Sequence, residues 1–188
     1  MSLIETVALT RADAEVARRL TLVDEDRWER PSACAGWTVG DLVDHLIGGN
    51  AYSMALLDGA SADEAMERAH AVAGGEAPRR VAYTPTAKGI RKGLDQPGAV
   101  ERTYPHVVGE VTGHVMAGLR ATDLALHAWD LARSIGADED LDDELVAFVA
   151  ATADEMGLWE DASAGEAGSP QRRLLLRSGR DPDGATAD

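Results

Sequence analysis

Aromatic side chains are scarce in this 188-residue chain: they make up 4% of it, and phenylalanine occurs once. Strands draw their packing from aromatic and β-branched residues. The 45% of apolar residues must come mainly from Ala, Leu, Val and Met, which predicts a core of close-packed helices. Cysteine occurs once, at Cys34, which excludes an intrachain disulfide and fits a reducing cytoplasm. No apolar run reaches the length of a membrane span, and Arg11, Arg18 and Arg19 are not followed by the apolar core of a signal peptide. Basic residues are also few, 18 against 33 acidic ones, for a net charge of −15. Such a surface repels phosphate backbones and anionic membranes, so neither nucleic acid nor membrane is an expected partner. No G-x-S-x-G, P-loop or G-x-G-x-x-G is present, which disfavours a serine hydrolase, a nucleotide triphosphatase and a dinucleotide enzyme.

The length suits one domain, or one with a tail, and can bury a core without disulfides or a structural metal. Apolar spacing predicts a first helix over 3–25 and a second from Val39 to Leu57, the latter opened by Thr38 and Asp41 as a capping box. SADEAMERAHAVAG (61–74) reads as a surface helix capped by Ser61 and Asp63. PTAKGIRKGLDQPG (85–98) reads as a helical segment ended by Pro97-Gly98. ERTYPHVVGEVTG (101–113) reads as an extended connection with room for a short strand. A long helix is expected over 112–135, stopped by Gly136. Asp142 or Asp143 should cap another through Met156. A loop at 162–170, a short helix in SPQRRLLLRSG and a frayed tail at 181–188 complete the chain. Four substantial helices with irregular links predict an all-α bundle over residues 1–180.

The long helix carries Asp123, His127 and Asp130 among apolar neighbours. Residues three and four apart share a helix face, so a carboxylate and an imidazole point the same way one turn apart. A divalent transition metal accepts both with little strain, and His45 on the second helix is the obvious third ligand. Two imidazoles and one carboxylate leave positions open for water or substrate, as in a catalytic site. Asp130, one turn past His127, is placed to orient a ligand from behind or to bind backbone or Arg133. The plainer alternative is a polar stripe on a wet face, with Asp123 and Asp130 paired to Arg120 and Arg133. In that case His45 lies more than about 10 Å from His127, too far for bonds of about 2 Å to one ion. His114 is two and a half turns from Asp123, His70 sits in a polar segment and His106 follows Pro105; none is expected to be a ligand. Cys34 precedes a helix N-terminus, where the dipole can activate a thiol, although a small, partly buried packing residue is the more ordinary role.

WERPSACAGWTVGDLVDHL (28–46) and DLALHAWDLA (123–132) together resemble the signatures of the mycothiol-dependent maleylpyruvate isomerase family, within the DinB-like superfamily. RLLLRSGRDP (173–182) is similar to the ending of a subgroup of small metal-binding relatives. The resemblance implies a DinB-like four-helix bundle with short extra helices and a metal held by His45, Asp123 and His127. Asp123 stands where the better-known isomerase has glutamate, and the shorter side chain implies closer helix approach or monodentate binding. The resemblance also implies that the isomerase carries an additional C-terminal α/β domain, for which this chain is too short. Zn²⁺ is the first choice for such a donor set and Ni²⁺ is compatible with it. The implied partners are a small thiol, mycothiol or a similar one, and an electrophile. The implied activity is a metal-dependent transferase or isomerase; the alternative is a non-catalytic metal- or ligand-binding module, in either case as monomer or homodimer.

Overall fold

In the computed structural model, residues 4–159 and 168–184 are described. Residue 3 of the expected first helix, most of the 162–170 loop and positions 185–188 of the expected tail lie outside them.

Among the described residues there are seven α-helices and one β-hairpin. Helix α1, Glu5–Leu20, buries Ala8, Leu9, Ala12, Val16 and Leu20 along one face. It stops short of the expected 25: Leu22 is 53% exposed, and a 3-10 turn follows at Glu25–Arg27. Helix α2, Val39–Leu57, begins on the expected capping box. The Thr38 hydroxyl accepts from the Asp41 amide at 3.0 Å, and the Asp41 carboxylate accepts from the Thr38 amide at 2.9 Å. Helix α3, Ala62–Ala73, is capped by Ser61 with Glu64 as the return partner. It lies against α2 through Ala65 and Ala69, both buried.

Helix α4, Arg79–Leu94, starts well before Pro85, the expected start of the helical segment. Proline removes the amide that would bond the carbonyl four residues earlier. Here that carbonyl belongs to Val81, which is 62% exposed, so water can satisfy it and the helix runs through. The extended connection is a hairpin, β1 Thr103–His106 and β2 Gly109–Thr112, with His106 opposite Gly109. Helix α5, Gly113–Ile135, is capped by the Thr112 hydroxyl and ends at Gly136 in the left-handed region, φ 65°. Helix α6, Asp143–Met156, is capped by Asp142, and α7, Pro170–Arg177, by Ser169.

Helices α1, α2, α4 and α5 form the four-helix bundle: α1 packs on α5, α2 on α4, and the two pairs meet through α2–α5 and α1–α4. Alanines at 8, 12, 117, 121, 125 and 128 are buried and keep the helix axes close. Few aromatics are needed because backbone-near atoms fill the space. Helix α6 covers α5, and α7 covers α6. No described helix is long and apolar enough to cross a membrane.

Candidate metal centre

Helices α2 and α5 bring His45, Asp123 and His127 together. Asp123 Oδ1 lies 3.3 Å from His45 Nε2 and 3.5 Å from His127 Nε2. The two imidazole rings meet edge to face with centroids 4.9 Å apart, so the polar stripe is not an isolated wet face. One ligand atom from each of the three residues falls within 4.8 Å of the others. Trp37, in the loop before α2, lies over both rings at 5.1 and 6.0 Å.

The other oxygen of Asp123 is held by Arg120, one turn earlier on α5, at 2.5 Å. Burial works against the Asp123 charge, but Arg120, His45 and His127 outweigh it and keep the carboxyl well below the usual carboxylate range. Arg120 itself crosses α2 at Gly49, where a Cβ would overlap its guanidinium. Its Nε donates to Asn50 Oδ1 at 2.8 Å and a terminal nitrogen donates to the Leu46 carbonyl at 2.5 Å. Glycine at 49 therefore leaves room for the Arg120 guanidinium between α2 and α5.

Behind the site, His127 Nδ1 lies 2.7 Å from Asp130 Oδ2. A carboxylate there accepts, so the ring proton sits on Nδ1 and the Nε2 lone pair faces Asp123 and His45. Asp130 is buried and is clamped by Arg180, whose Nε and a terminal nitrogen donate at 2.8 and 2.6 Å. Burial again opposes the Asp130 charge, while the bonds from His127 and Arg180 lower its pKa overall. Arg133 is one of the partners that the sequence suggests for Asp130. Arg133 instead bonds Glu139 at 3.0 Å and the Pro182 carbonyl at 3.2 Å.

Cys34 is the neighbour that the sequence did not reveal. Its Sγ lies 3.4 Å from Asp130 Oδ2 and 3.7 Å from His127 Nδ1. Burial, then the Asp130 charge, pushes the thiol pKa up to about 12, opposite to activation by a helix dipole. Cys34, His127 and Asp130 form a second cluster of donors. There His127 uses Nδ1 rather than Nε2, and Asp130 is already spoken for by Arg180. The open, three-donor cluster is thus the His45 side.

His114 is far from this centre, 3.2 Å from Glu5. His70 and His106 are not among the donors, but both line a cleft of about 560 Å³ that begins at His45 and Asp123. Their placement depends on α3 and the hairpin folding over α2, which no local spacing encodes.

The sequence pattern of the mycothiol maleylpyruvate isomerase N-terminal domain matches residues 9–132. Two uncharacterized proteins of Mycobacterium tuberculosis, from its Oshkosh and H37Rv strains, are each 34% identical to this chain. Each of these matches spans 143 residues, 74% of this chain and 71% of the relative. Crystal structures of the mycothiol-dependent maleylpyruvate isomerase and of a histidine-to-alanine mutant of it superpose with a TM-score of 0.73 at 18% identity. The superposition covers 98% of this chain and 92% of that one, so the expected extra domain does not show as a difference in extent. The fold is DinB-like and all-α, and the chain belongs to the mycothiol maleylpyruvate isomerase N-terminal domain family.

Proposed function

We propose that this chain binds one divalent metal through His45, Asp123 and His127 and uses it in a thiol-dependent transfer or isomerisation. The observation that carries this reading is the spacing of 3.3 and 3.5 Å between donor atoms. Bonds of about 2.0–2.2 Å at tetrahedral angles set neighbouring donors about 3.3–3.5 Å apart. A charge-assisted hydrogen bond is shorter, about 2.7–2.9 Å, so these contacts suit a shared cation better than a direct bond. Zn²⁺ fits the two imidazoles and one carboxylate first, and Ni²⁺ is compatible.

A metal bound here supplies Lewis-acid chemistry, lowering the pKa of a thiol or water and presenting it as a nucleophile. The remaining work is done by the chain. Arg120 fixes Asp123 so that Oδ1 faces both imidazoles. Asp130 holds the His127 proton on Nδ1, and Arg180 holds Asp130. Trp37 packs against both imidazoles and limits their rotation. Cys34, with its pKa raised to about 12, stays protonated and supplies no thiolate. The reacting thiol therefore comes from solution. Mycothiol is our first choice, since the similar isomerase depends on it, and a reducing cytoplasm is the compartment in which such thiols persist.

A non-catalytic metal- or ligand-binding module is the second reading. It is favoured by the commitment of the carboxylates: Asp123 to Arg120, Asp130 to His127 and Arg180, Asp44 to Arg79. None is left as a free general base. Metal analysis of untagged protein should find about one divalent ion per chain, lost in His127→Ala. A wild-type chain that holds no metal and cannot be loaded with any overturns the proposal. Metal-dependent turnover of a panel of thiols and electrophiles separates the enzyme from the module.

A further inference from the structure

The cleft that opens from His45 and Asp123 has a volume of about 560 Å³. Its walls away from the metal centre carry Met66, Ala69, Val107, Val108, Met116 and Leu119. The charges at its edge are already used. All three nitrogens of Arg120 donate, to Asn50, Asp123 and the Leu46 carbonyl, at 2.8, 2.5 and 2.5 Å. Asp44 accepts two bonds from Arg79, at 2.9 and 2.7 Å. His106 Nδ1 accepts from the Val108 amide at 3.3 Å, and burial lowers its pKa. Among the described lining residues, Arg120 is thus committed, and His70 is an exposed imidazole at the rim.

The hairpin tip is built for the same purpose. Two-residue hairpin turns favour Gly, Asn and Asp, yet this one is Val107-Val108, 61% and 65% exposed. The positive φ falls on Gly109, at 112°. The tip is held against α2 by the buried Tyr52, whose hydroxyl accepts from the Val107 amide at 3.0 Å. Two exposed valines, fixed by a buried phenol, thus form part of the cleft wall.

We propose that this cleft binds an uncharged, largely apolar small molecule and rejects carboxylates and other anions. That this molecule is the electrophile attacked by the thiol rests on the metal-centre reading above; the binding preference does not. Maleylpyruvate, in the name of the structurally similar isomerase, is an anion; against the apolar walls beyond the metal centre it would lose its hydration with no cation to replace it. The net charge of −15 adds a long-range field of the same sign.

The test uses two fluorescent probes with one ring system, neutral N-phenyl-1-naphthylamine and its sulfonate, 8-anilino-1-naphthalenesulfonate. Titrations are run on metal-free and zinc-loaded protein at pH 8, where an ordinary imidazole is neutral. In the metal-free protein the neutral probe should bind about tenfold tighter or more. Val108→Lys, at an exposed position, should strengthen the sulfonate by about tenfold. Val81→Lys adds the same charge on α4, outside the cleft and 62% exposed, and should leave the ratio unchanged. The inference is overturned if the sulfonate binds as tightly as the neutral probe, if neither binds, or if Val81→Lys acts as strongly as Val108→Lys. Zinc content of the same samples is measured separately. Failure to bind zinc with the probe preference intact counts against the proposed metal chemistry alone.

Discussion

Replacing Arg180 with alanine should weaken zinc binding about tenfold to a hundredfold without removing a ligand. Arg180 gives Asp130 two hydrogen bonds, at 2.8 and 2.6 Å, and Asp130 in turn accepts from His127 at 2.7 Å. Without the guanidinium, Asp130 keeps only His127 and the distant Cys34 thiol, 3.4 Å away. The carboxylate then has a free oxygen and can rotate, and the His127 ring rotates with it. Breaking a fully buried pair costs about 3–5 kcal/mol. The Arg180 side chain is 17% exposed and that of Asp130 only 2%, so water can enter on one side, and a folding cost of about 2–3 kcal/mol is expected. The loss in metal affinity corresponds to about 1.4–2.7 kcal/mol. Competition of the protein with a chromophoric chelator for zinc reads the affinity, and urea unfolding of the metal-free protein reads the stability. Arg180→Lys keeps the charge but not the planar fork and should recover only part of each. A folded Arg180→Ala protein with wild-type zinc affinity refutes the chain from Arg180 through Asp130 to His127. A loss of stability alone would make the clamp purely structural.

In metal-free protein, the folded pKa of Asp130 is lowered, so its contribution to stability is fully present above the ordinary carboxylate value of about 3.9 and is lost as the pH falls through the folded value. The urea stability gap between wild type and Asp130→Asn should be steady near neutrality and close below about pH 4; a gap that widens in acid contradicts the sign. Cys34, raised from 9.0 to about 12, should react with iodoacetamide at pH 8 roughly a thousandfold more slowly than an ordinary thiol, and Cys34→Ser should keep wild-type zinc affinity. Rapid alkylation would contradict the raised pKa, and zinc lost with the thiol would make Cys34 part of the donor set. Gly49→Ala gains about 1 kcal/mol of helix propensity but pushes a methyl group into the Arg120 guanidinium. We expect a net loss of about 1–2 kcal/mol in thermal or urea unfolding, and a gain would show that Arg120 is free to move.

Local signals in the sequence locate whatever is decided within one or two helical turns. Thr38 and Asp41 announce α2, Gly136 ends α5, and the four-residue step from Asp123 to His127 places both on one face. His45 becomes their partner because α2 and α5 each have an apolar face that must be buried, and burial turns the polar edges of both toward the same gap. Pro85 misleads because proline is a usual first-turn residue, and only its solvent-facing position lets α4 pass through it. Arg180 and Cys34 stay hidden for a different reason. Arg180 stands 50 positions after Asp130, and Cys34 stands 96 before it. Their meeting is set by loops and by α7 packing on α6, and no helical period reports it.

That division has a chemical consequence. The three candidate donors sit on α2 and α5, helices of the bundle whose apolar faces fix them to the fold. The groups that tune those donors arrive from elsewhere: Trp37 and Cys34 from the loop before α2, Arg180 from the segment after α7. The family pattern covers 9–132 and so includes the donors, Trp37, Cys34, Arg120 and Asp130, but Arg180 falls beyond it. Relatives could keep the same three donors while changing what holds Asp130. The basicity of His127 would shift with that partner, and with it the hold on the metal. The wall of the cleft is likewise carried by a hairpin tip, Val107-Val108, whose exposed side chains can change without unfolding the bundle. On the proposed reading, metal binding and substrate choice would be separable: the first would depend on positions of α2 and α5 and their clamp, the second in part on two residues of a surface turn.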